Sequence, residues 1–469
     1  MAQLTHQRLK AFFNPQCITV VGASNNNQWF ANVVLNARKS GFKGDILPIN
    51  PKAAEVFGIP ALKTIEDLPE GQVDFAVIML NSGLVMDALA KLNAKGIRNI
   101  LMISSGFAET GPAGQKLQDD MQAYCAAHDI VMMGPNCLGF INFSDGASAF
   151  GNTPFNSELH PGPIGLVGQS GAVSDAIATR LIQRGLGLSL FVTSGNEVCM
   201  TAEDIMEYMV ADGHTRVITA FMEGFRKVPK LRQVAKEAAA KGIPIIMIKV
   251  GRSSKAASVA SSHTGAMAGN DMIADGFFAQ HGIIRVDSIS ELIETAAILA
   301  RVPLPATDGV GLCTLSGGLC GIYADLSAKY GISLPSLEET TIAKLKELLP
   351  PFAMPGNPLD VTGSGYLTDL DKTLAVLAAD PNIGLVASLA IGPTAADDEY
   401  ANIVNYSFMP LIEKGEKPFV PLIYREMSDY GRHYFDSRNI YYIEHAEMGF
   451  KALGHLMQYA RFRRQNGLA

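Results

Sequence analysis

The sequence predicts an α/β protein of three consecutive domains, each built on a doubly wound parallel sheet. A strand-like run, a turn of small residues and a helix-like stretch occur together three times, in CITVVGASNNNQ from residue 17, PIGLVGQSGAVSDAIATRLIQRG from residue 163 and GVGLCTLSGGLCGIYADLSAKYG from residue 309. The turn serines Ser24, Ser170 and Ser316 are evenly spaced, since 170 − 24 and 316 − 170 both equal 146. An internal repeat of this length predicts three domains of similar size.

Each repeat continues as apolar runs that alternate with amphipathic helical stretches. The runs are GDILPINP, VDFAVIML, IRNILMISS and IVMMGPN in the first repeat, LSLFVTSG, RVITAFMEG, IPIIMIKVG and IIRVDS in the second, and IGLVASLAIG, PFVPLIYRE and NIYYIEH in the third. This alternation is typical of a parallel sheet with helices on both faces. Pro- and Gly-rich segments at 150–163 and 302–309 separate the repeats, so the predicted domains span residues 1–150, 158–303 and 308–469.

Composition excludes several classes of protein. The 469 residues are 48% hydrophobic and only 18% charged, which is typical of a core-rich globular chain rather than a disordered or fibrous one. A net charge of −7 and the absence of a Lys/Arg run argue against nucleic-acid and anionic-membrane partners. The six cysteines form no Cys-x-x-Cys pair, and no stretch has the length and apolarity of a signal peptide or membrane span. We therefore expect a soluble cytoplasmic protein with reduced thiols.

The three small-residue turns are candidate anion sites. A strand that ends in such a turn and opens a helix presents backbone N–H groups and the positive end of the helix dipole to a ligand. The alternative is that small residues only let strand and helix approach closely. The first turn has no Gly-x-Gly-x-x-Gly motif, and the tip of the second predicted strand carries Lys52 in place of the acid that would hold a ribose diol. Unless Lys52 is simply a surface lysine, this favours a nucleotide with an extra ribose phosphate, and both NADP and coenzyme A qualify.

His263 is the strongest candidate for a reactive side chain. It lies in RSSKAASVASSHTGAMAGND, residues 252–271, and is the one histidine of nine that is embedded in small residues. Such a loop lets a backbone approach a ligand closely, and a neutral imidazole can act as a nucleophile or general base. Glu223 follows the run RVITAFM, so we expect it at the ligand-binding edge of the sheet, where it would orient the imidazole or serve only as a helix N-terminal charge. No His-x-x-x-His or Cys/His cluster suggests a metal site.

Several motifs in order resemble those of one enzyme family. They include LPINPK, SSGFAE (104–109), GPNCLG (134–139), GLVGQSGA (165–172), MEGF, SSHTGAMAG (261–269) and GNPLDVTG (356–363). With them the chain resembles the nucleoside-diphosphate-forming acyl-CoA synthetases, relatives of succinyl-CoA synthetase, and in particular the α subunits of the ADP-forming acetyl-CoA synthetase type. The resemblance implies a Rossmann-like CoA-binding domain first, a ligase domain with a phosphohistidine loop second, and flavodoxin-like folds for the second and third domains.

The resemblance also implies roles for individual residues. His263 would be phosphorylated during turnover, with Glu223 hydrogen-bonded to its imidazole. The phosphate would lie in the turn formed by Gln169, Ser170 and Gly171. Coenzyme A rather than NADP would bind the first domain, with Asn136 close to its reacting end; the other implied contacts are Gly22, Ser24, Asn25, Asn26, Asn27, Lys52, Ile103, Ser104 and Ser105.

The implied activity is that of an ADP- or GDP-forming acid–thiol ligase acting on a small carboxylic acid. The steps are attack of the acyl carboxylate on a phosphoryl group, displacement of phosphate by the CoA thiol, and transfer of the phosphoryl group between phosphohistidine and ADP. The family's ATP-grasp domains do not occur in these 469 residues, so a separate β subunit would bind ATP, ADP and Mg²⁺. Glu197, Cys199 and Met200 depart from the acetate-type motif, which leaves the acid unnamed.

Two other functions stay open at this point. A CoA- or acyl-CoA-binding regulator of the same fold would work without phosphoryl transfer, and the missing nucleotide domains motivate this alternative. An NADP-dependent oxidoreductase is motivated by Lys52 alone.

Overall fold

The computed structural model describes residues 4–156, 159–253, 255–256, 271–353 and 355–468. The chain divides into two compact units, Met1–Ile289 and Ser290–Ala469. The strands of the first unit form two large sheets and a small hairpin, and those of the second unit form one sheet. None of the described helices is long and apolar enough to cross a lipid bilayer.

The first sheet is parallel throughout. Its strands are β1 (Cys17–Val21), β2 (Asp45–Ile49), β5 (Phe75–Ile78), β6 (Asn99–Met102) and β7 (Val131–Met133), in the order β2-β1-β5-β6-β7, while β3 (Glu55–Val56) and β4 (Ile59–Pro60) form the hairpin. Almost every residue of the four strands other than β2 is buried, which is the pattern expected of a sheet covered on both faces. The covering helices are His6–Phe12, Gln28–Lys39, Val85–Ala94 and Pro112–Ala127, with 3-10 turns at Ile65–Asp67, Ser82–Leu84 and Ala108–Thr110.

The second sheet has a parallel centre and an antiparallel edge. Its strands are β8 (Gly139–Asn142), β9 (Ala147–Phe150), β10 (Pro161–Gly168), β11 (Leu188–Thr193), β12 (Val217–Met222), β13 (Ile245–Lys249) and β14 (Ile283–Arg285), in the order β14-β13-β12-β10-β11-β8-β9. Strand β8 runs antiparallel to β11 and to β9. The helices of this part are Gly171–Gln183, Ala202–Ala211, Val228–Ala240 and Asp271–His281.

Residues 139–150 therefore extend the second sheet although they precede the predicted boundary at residue 150. An aromatic cluster ties this edge to the first sheet, because Phe140 packs against Phe12, Phe13 and Phe75 at ring-centroid distances of 6.1, 5.2 and 5.9 Å. All four rings are fully buried, so the two sheets share one core within the first unit. The predicted residue ranges of the three domains stay predictions.

The second unit contains one parallel sheet. Its strands are β15 (Val310–Thr314), β16 (Leu359–Asp360), β17 (Leu385–Ala390) and β18 (Phe419–Ile423), in the order β16-β15-β17-β18. The helices are Ile289–Arg301, Gly317–Lys329, Glu339–Leu348, Thr362–Thr368, Leu370–Ala379, Glu399–Ile403, Met409–Lys414, Asp429–Asp436 and Ala446–Gln465, with a π-helical turn at Val404–Phe408. The predicted α/β class with parallel sheets and covering helices is confirmed.

Candidate functional site

The turn after β1 depends on a glycine. Gly22 has φ +93°, and a Cβ there would lie 2.5 Å from the carbonyl oxygen of Met79, which follows β5. Any other residue would therefore be strained and would overlap the neighbouring strand end. This close approach sets the path of the backbone into the helix Gln28–Lys39.

The polar side chains of this turn build the turn itself. Asn27 is the N-cap of the helix Gln28–Lys39, and its Oδ1 accepts the N–H of Trp29 at 3.0 Å. Ser24 Oγ accepts the N–H of Asn26 at 3.2 Å. Asn25 Oδ1 accepts the N–H of Phe57 at 2.8 Å, which fixes the β3–β4 hairpin beside the turn. Residues that were predicted to bind a ligand thus have structural partners as well.

A cleft of about 530 Å³ opens at the carboxyl ends of β1, β5 and β6. Ligands of parallel sheets bind at this edge. The cleft brings together four residues predicted to bind the cofactor, Asn27, Ile103, Ser104 and Ser105, and its lining also includes Trp29, Met79, Leu80, Asn81 and Ser82.

Trp29 is the functional candidate that the sequence analysis missed. It is the only tryptophan in the sequence, and 43% of it is exposed in the cleft. A half-exposed indole beside a helix N-terminus suits the flat, partly apolar groups of a nucleotide cofactor. Its position two residues after the capping asparagine was the available signal.

Lys52 and Asn136 flank this region. Lys52 is exposed on the loop after β2, where its N–H donates to Asn50 Oδ1 at 2.8 Å, and Asn50 Nδ2 donates to the carbonyl of Ala23 at 2.7 Å. The loop with Lys52 is thereby tied to the first turn. Asn136 has φ +57° and donates its N–H to the carbonyl of Ser104 at 2.9 Å.

Asn136 also connects the two sheets of the first unit. Its Nδ2 donates to Asn196 Oδ1 at 3.3 Å, and Asn196 Nδ2 donates to Glu109 Oε2 at 2.6 Å. Burial raises the pKa of Glu109, but hydrogen bonds from Asn196 and from backbone N–H groups outweigh burial and lower the pKa overall. The cleft and the loop after β11 therefore belong to one polar network.

The second small-residue turn follows β10. Ser170 is the N-cap of the helix Gly171–Gln183, and among the described residues its side chain makes no capping hydrogen bond. A Cβ at Gly171 would lie 2.7 Å from the Leu138 side chain, so the helix start packs closely against the chain leading into β8. The helix N-terminus remains suited to an anion.

Gln169 organises the backbone beside this turn. Its Oε1 accepts the N–H groups of Glu223 at 2.6 Å and Gly224 at 3.0 Å, and its Nε2 donates to the carbonyl of Gly224 at 2.9 Å. Glu223 is half-buried directly after β12, as the sequence predicted. His263 lies outside the described residues, so its pairing with Glu223 stays a prediction.

A buried acid lies on the other side of Gln169. Glu197 is 6% exposed, and its Oε2 accepts from Gln169 Nε2 at 3.0 Å. Burial, together with the nearby charge of Glu203, raises the pKa of Glu197 to about 7. The sequence analysis treated Glu197 only as a departure from the acetate-type motif and gave it no role.

The described residues contain no group of three or more His, Cys, Asp or Glu side chains arranged to hold a metal ion.

Comparison with known proteins identifies the family. A model of a CoA binding domain matches residues 16–142, and a model of the succinyl-CoA ligase like flavodoxin domain matches residues 161–299. The α subunit of ADP-forming acetate–CoA ligase II of Pyrococcus furiosus is 32% identical over 388 residues, which are 83% of this chain and 83% of that subunit. The chain belongs to the ADP-forming acyl-CoA synthetases.

Other relatives extend the likeness. The 4-hydroxybutyrate–CoA ligase of Nitrosopumilus maritimus is 31% identical over 80% of this chain but only 54% of its own length, so the chain spans about half of that relative. Among solved structures, the apo acetyl-coenzyme A synthetase 1 of Ca. Korarchaeum cryptofilum is 26% identical with a TM-score of 0.85, covering 98% of this chain and 100% of that one. The same synthetase has been solved with phosphate and ADP.

These matches confirm the expected family and, with it, coenzyme A rather than NADP as the cofactor of the first domain. They favour a ligase over the alternative of a CoA-binding regulator. The relatives named as α subunits also imply a partner subunit, as expected.

Proposed function

We propose that this chain is the α subunit of an ADP-forming acid–CoA ligase. The reaction interconverts a small carboxylic acid, coenzyme A and ATP with acyl-CoA, ADP and phosphate. The observation that carries the proposal is the Gln169 amide, which binds both backbone N–H groups of Glu223 and Gly224 next to the helix N-terminus at Ser170. Family membership supplies the reaction class.

The cleft beside Trp29 fits coenzyme A. Its lining combines an exposed indole with hydroxyl and amide side chains, and Asn27 ends there at a helix N-terminus suited to phosphate groups. We assign cofactor contacts to Gly22, Ser24, Asn25, Asn26, Asn27, Trp29, Lys52, Ile103, Ser104 and Ser105. Asn136, which bonds to both Ser104 and Asn196, would lie toward the reacting end.

Phosphoryl transfer is assigned to the second turn. His263 would carry the phosphoryl group as a nucleophile whose imidazole is oriented by Glu223. The N–H groups at the start of the helix Gly171–Gln183 would stabilise the phosphoryl oxygens, because fixed donors of this kind cost no reorganisation when charge develops. Gln169, Ser170 and Gly171 would form the phosphate cradle.

The partner is proposed to be an ATP-grasp β subunit. It would bind ATP, ADP and Mg²⁺, for which we assign no site on this chain. Relatives named as α subunits support the existence of a second subunit.

The decisive experiment compares wild type with His263→Ala and with the control His214→Asn, a histidine exposed after the helix Ala202–Ala211. Each is mixed with the host's ATP-grasp chain and Mg-ATP, and intact masses are recorded under conditions that preserve acid-labile phosphate. We expect one added phosphoryl group on wild type and the control but none on His263→Ala, with ligase activity lost in parallel. Phosphorylation or turnover by His263→Ala would contradict the proposal.

A further inference from the structure

Glu197 is held in one orientation by four neighbours. Its Oε1 accepts from Ser194 Oγ at 2.8 Å and from the N–H of Ala202 at 3.0 Å, and its Oε2 accepts from Gln169 Nε2 at 3.0 Å and faces Arg226 Nε at 3.8 Å. The backbone of Glu197 has φ +61°, a conformation that non-glycine residues seldom adopt. Burying a carboxylate costs free energy unless it is hydrogen-bonded or paired. A strained backbone persists only where the surrounding contacts hold it, and such positions cluster at functional sites.

The contact with Gln169 has a directional consequence. A glutamine amide has one accepting and one donating end, and the two can exchange by rotation about χ3. An ionised carboxylate can only accept, so Glu197 requires the NH₂ end of Gln169 to face it. The oxygen of Gln169 must then face the N–H groups of Glu223 and Gly224, as observed at 2.6 and 3.0 Å.

The surroundings of Glu197 bring the pKa of its carboxyl group close to neutral pH. Glu203, fully buried on the helix Ala202–Ala211, faces Glu197 from one side, and Arg226 from the loop after β12 faces it from the other. Glu203 Oε1 accepts the N–H groups of Arg226 at 2.9 Å and Lys227 at 3.0 Å. Burial and the Glu203 charge raise the pKa of Glu197 to about 7, so both protonation states are reached near neutral pH.

We propose that ionised Glu197 is a positioning residue that locks the amide of Gln169 and, through it, the backbone of Glu223 and Gly224 beside the phosphate turn. The inference rests on the proposed function for its kinetic consequence, but the lock itself is a property of the folded chain. A protonated Glu197 can donate from Oε2, so the carboxyl group no longer selects one orientation of the Gln169 amide, and only the backbone groups of Glu223 and Gly224 then hold it.

The first test is amide hydrogen exchange, which needs no catalysis. In Glu197→Gln a single amide oxygen replaces two accepting oxygens, so either Gln169 or the pair Ser194 and Ala202 loses its acceptor. We expect the N–H groups of Glu223 and Gly224 to exchange about tenfold faster than in wild type. Glu447→Gln, the same change at an exposed acid of the second unit, is the control and should leave their exchange unchanged. Unchanged exchange in Glu197→Gln overturns the proposal.

Wild type gives a second readout that does not depend on the variant folding. After correction for the intrinsic pH dependence of exchange, protection of the same two amides against local opening should fall as pH is lowered through about 7, although the free energy of global unfolding rises. Flat protection across this range would rule out control by Glu197.

The kinetic test uses a double-mutant comparison. If Glu197 acts through Gln169, adding Glu197→Gln to Gln169→Ala should cause no further loss of kcat, whereas Glu197→Gln alone should lower kcat about tenfold with KM for CoA changed less than twofold. Additive losses of kcat in the double variant would show that Glu197 does not act through Gln169. Wild type that never acquires phosphate would refute the proposed function. The exchange experiments would still show whether Glu197 positions the Gln169 amide.

Discussion

The first and second turns of the repeat begin with the same pattern but use their polar side chains in opposite ways. At the first turn, Ser24 and Asn27 satisfy the turn backbone, and Asn27 borders an open cleft with a half-exposed Trp29. At the second turn, Gln169 is buried between Glu197 and the backbone of Glu223 and bonds both. An open cleft suits a large cofactor, whereas the buried amide of Gln169 holds the backbone of Glu223 and Gly224 in place beside the second turn. The repeated pattern sets where a site lies, and the partners of the turn residues decide what it does.

The third turn, in the second unit, shows a further variant. Ser316 is the N-cap of the helix Gly317–Lys329, and its N–H donates to Thr314 Oγ1 at 3.3 Å. A Cβ at Gly317 would lie 3.4 Å from Asp360 Oδ2. A carboxylate thus lies beside the third turn and the amide of Gln169 beside the second, so these two turns are not electrostatically equivalent.

Gln169→Ala should have the largest effect on the second turn. This change removes the partners of two backbone N–H groups, one carbonyl and one oxygen of Glu197. Leaving several buried polar groups unpaired should lower the free energy of unfolding by about 4 kcal/mol and slow phosphorylation about a hundredfold. Urea unfolding and intact mass measure the two effects. CoA binding should persist, and its loss would mean that the two turns are not separate sites.

Gly22→Ala should damage the first turn instead. The left-handed φ and the 2.5 Å approach to the Met79 carbonyl predict a loss of about 3 kcal/mol in the free energy of unfolding, with weakened CoA binding. Gly276→Ala is the matched control, because its Cβ would meet nothing within 4 Å and lies in the helix Asp271–His281, where alanine is favourable. Equal stability of the two variants would argue against the tight turn.

The pH dependence of stability should distinguish the second turn. The pKa of Glu197 is raised from 4.5 to about 7, so between these values the native state holds a proton that the unfolded state has released. Stability from this group is therefore lost as pH rises, by about 2 kcal/mol between about pH 5.5 and 7.5. Between these pH values the free energy of unfolding should depend less steeply on pH in Glu197→Gln than in wild type. The same pH dependence of the unfolding free energy in both proteins would contradict the raised pKa of Glu197.

The smallest expected effect is that of Trp29→Ala on the cleft. With 43% of the residue exposed, the substitution should weaken CoA binding about tenfold while lowering the unfolding free energy by no more than about 2 kcal/mol. Calorimetric titration measures the affinity, and Tyr406→Ala, an aromatic residue 74% exposed in the second unit, is the control. Unaltered affinity in Trp29→Ala would place coenzyme A elsewhere.

Sequence reasoning placed several candidate residues at strand ends, because parallel sheets bind ligands at the carboxyl ends of their strands. The turn at Gly22, the turn at Ser170 and the acid Glu223 after β12 all lie where the alternation of strands and helices predicts. It missed the edge hairpin Gly139–Phe150, because antiparallel pairing with β11 is not encoded in the alternation. It also missed Trp29 as a candidate, because a position two residues after the capping asparagine does not by itself show that the side chain borders an open cleft.

The α/β class, the three strand–turn–helix repeats and the family could be read from the sequence alone, and the reactive residue types are predictions from it. These depend on local periodicity and on residues adjacent in the chain, which a sequence displays directly. Gln169 comes to lie between Glu197 and the backbone of Glu223 only when the chain folds, because the sequence separations are 28 and 54 residues. Burial and the neighbouring charge of Glu203 then set the pKa of Glu197, and both arise only when the chain is folded.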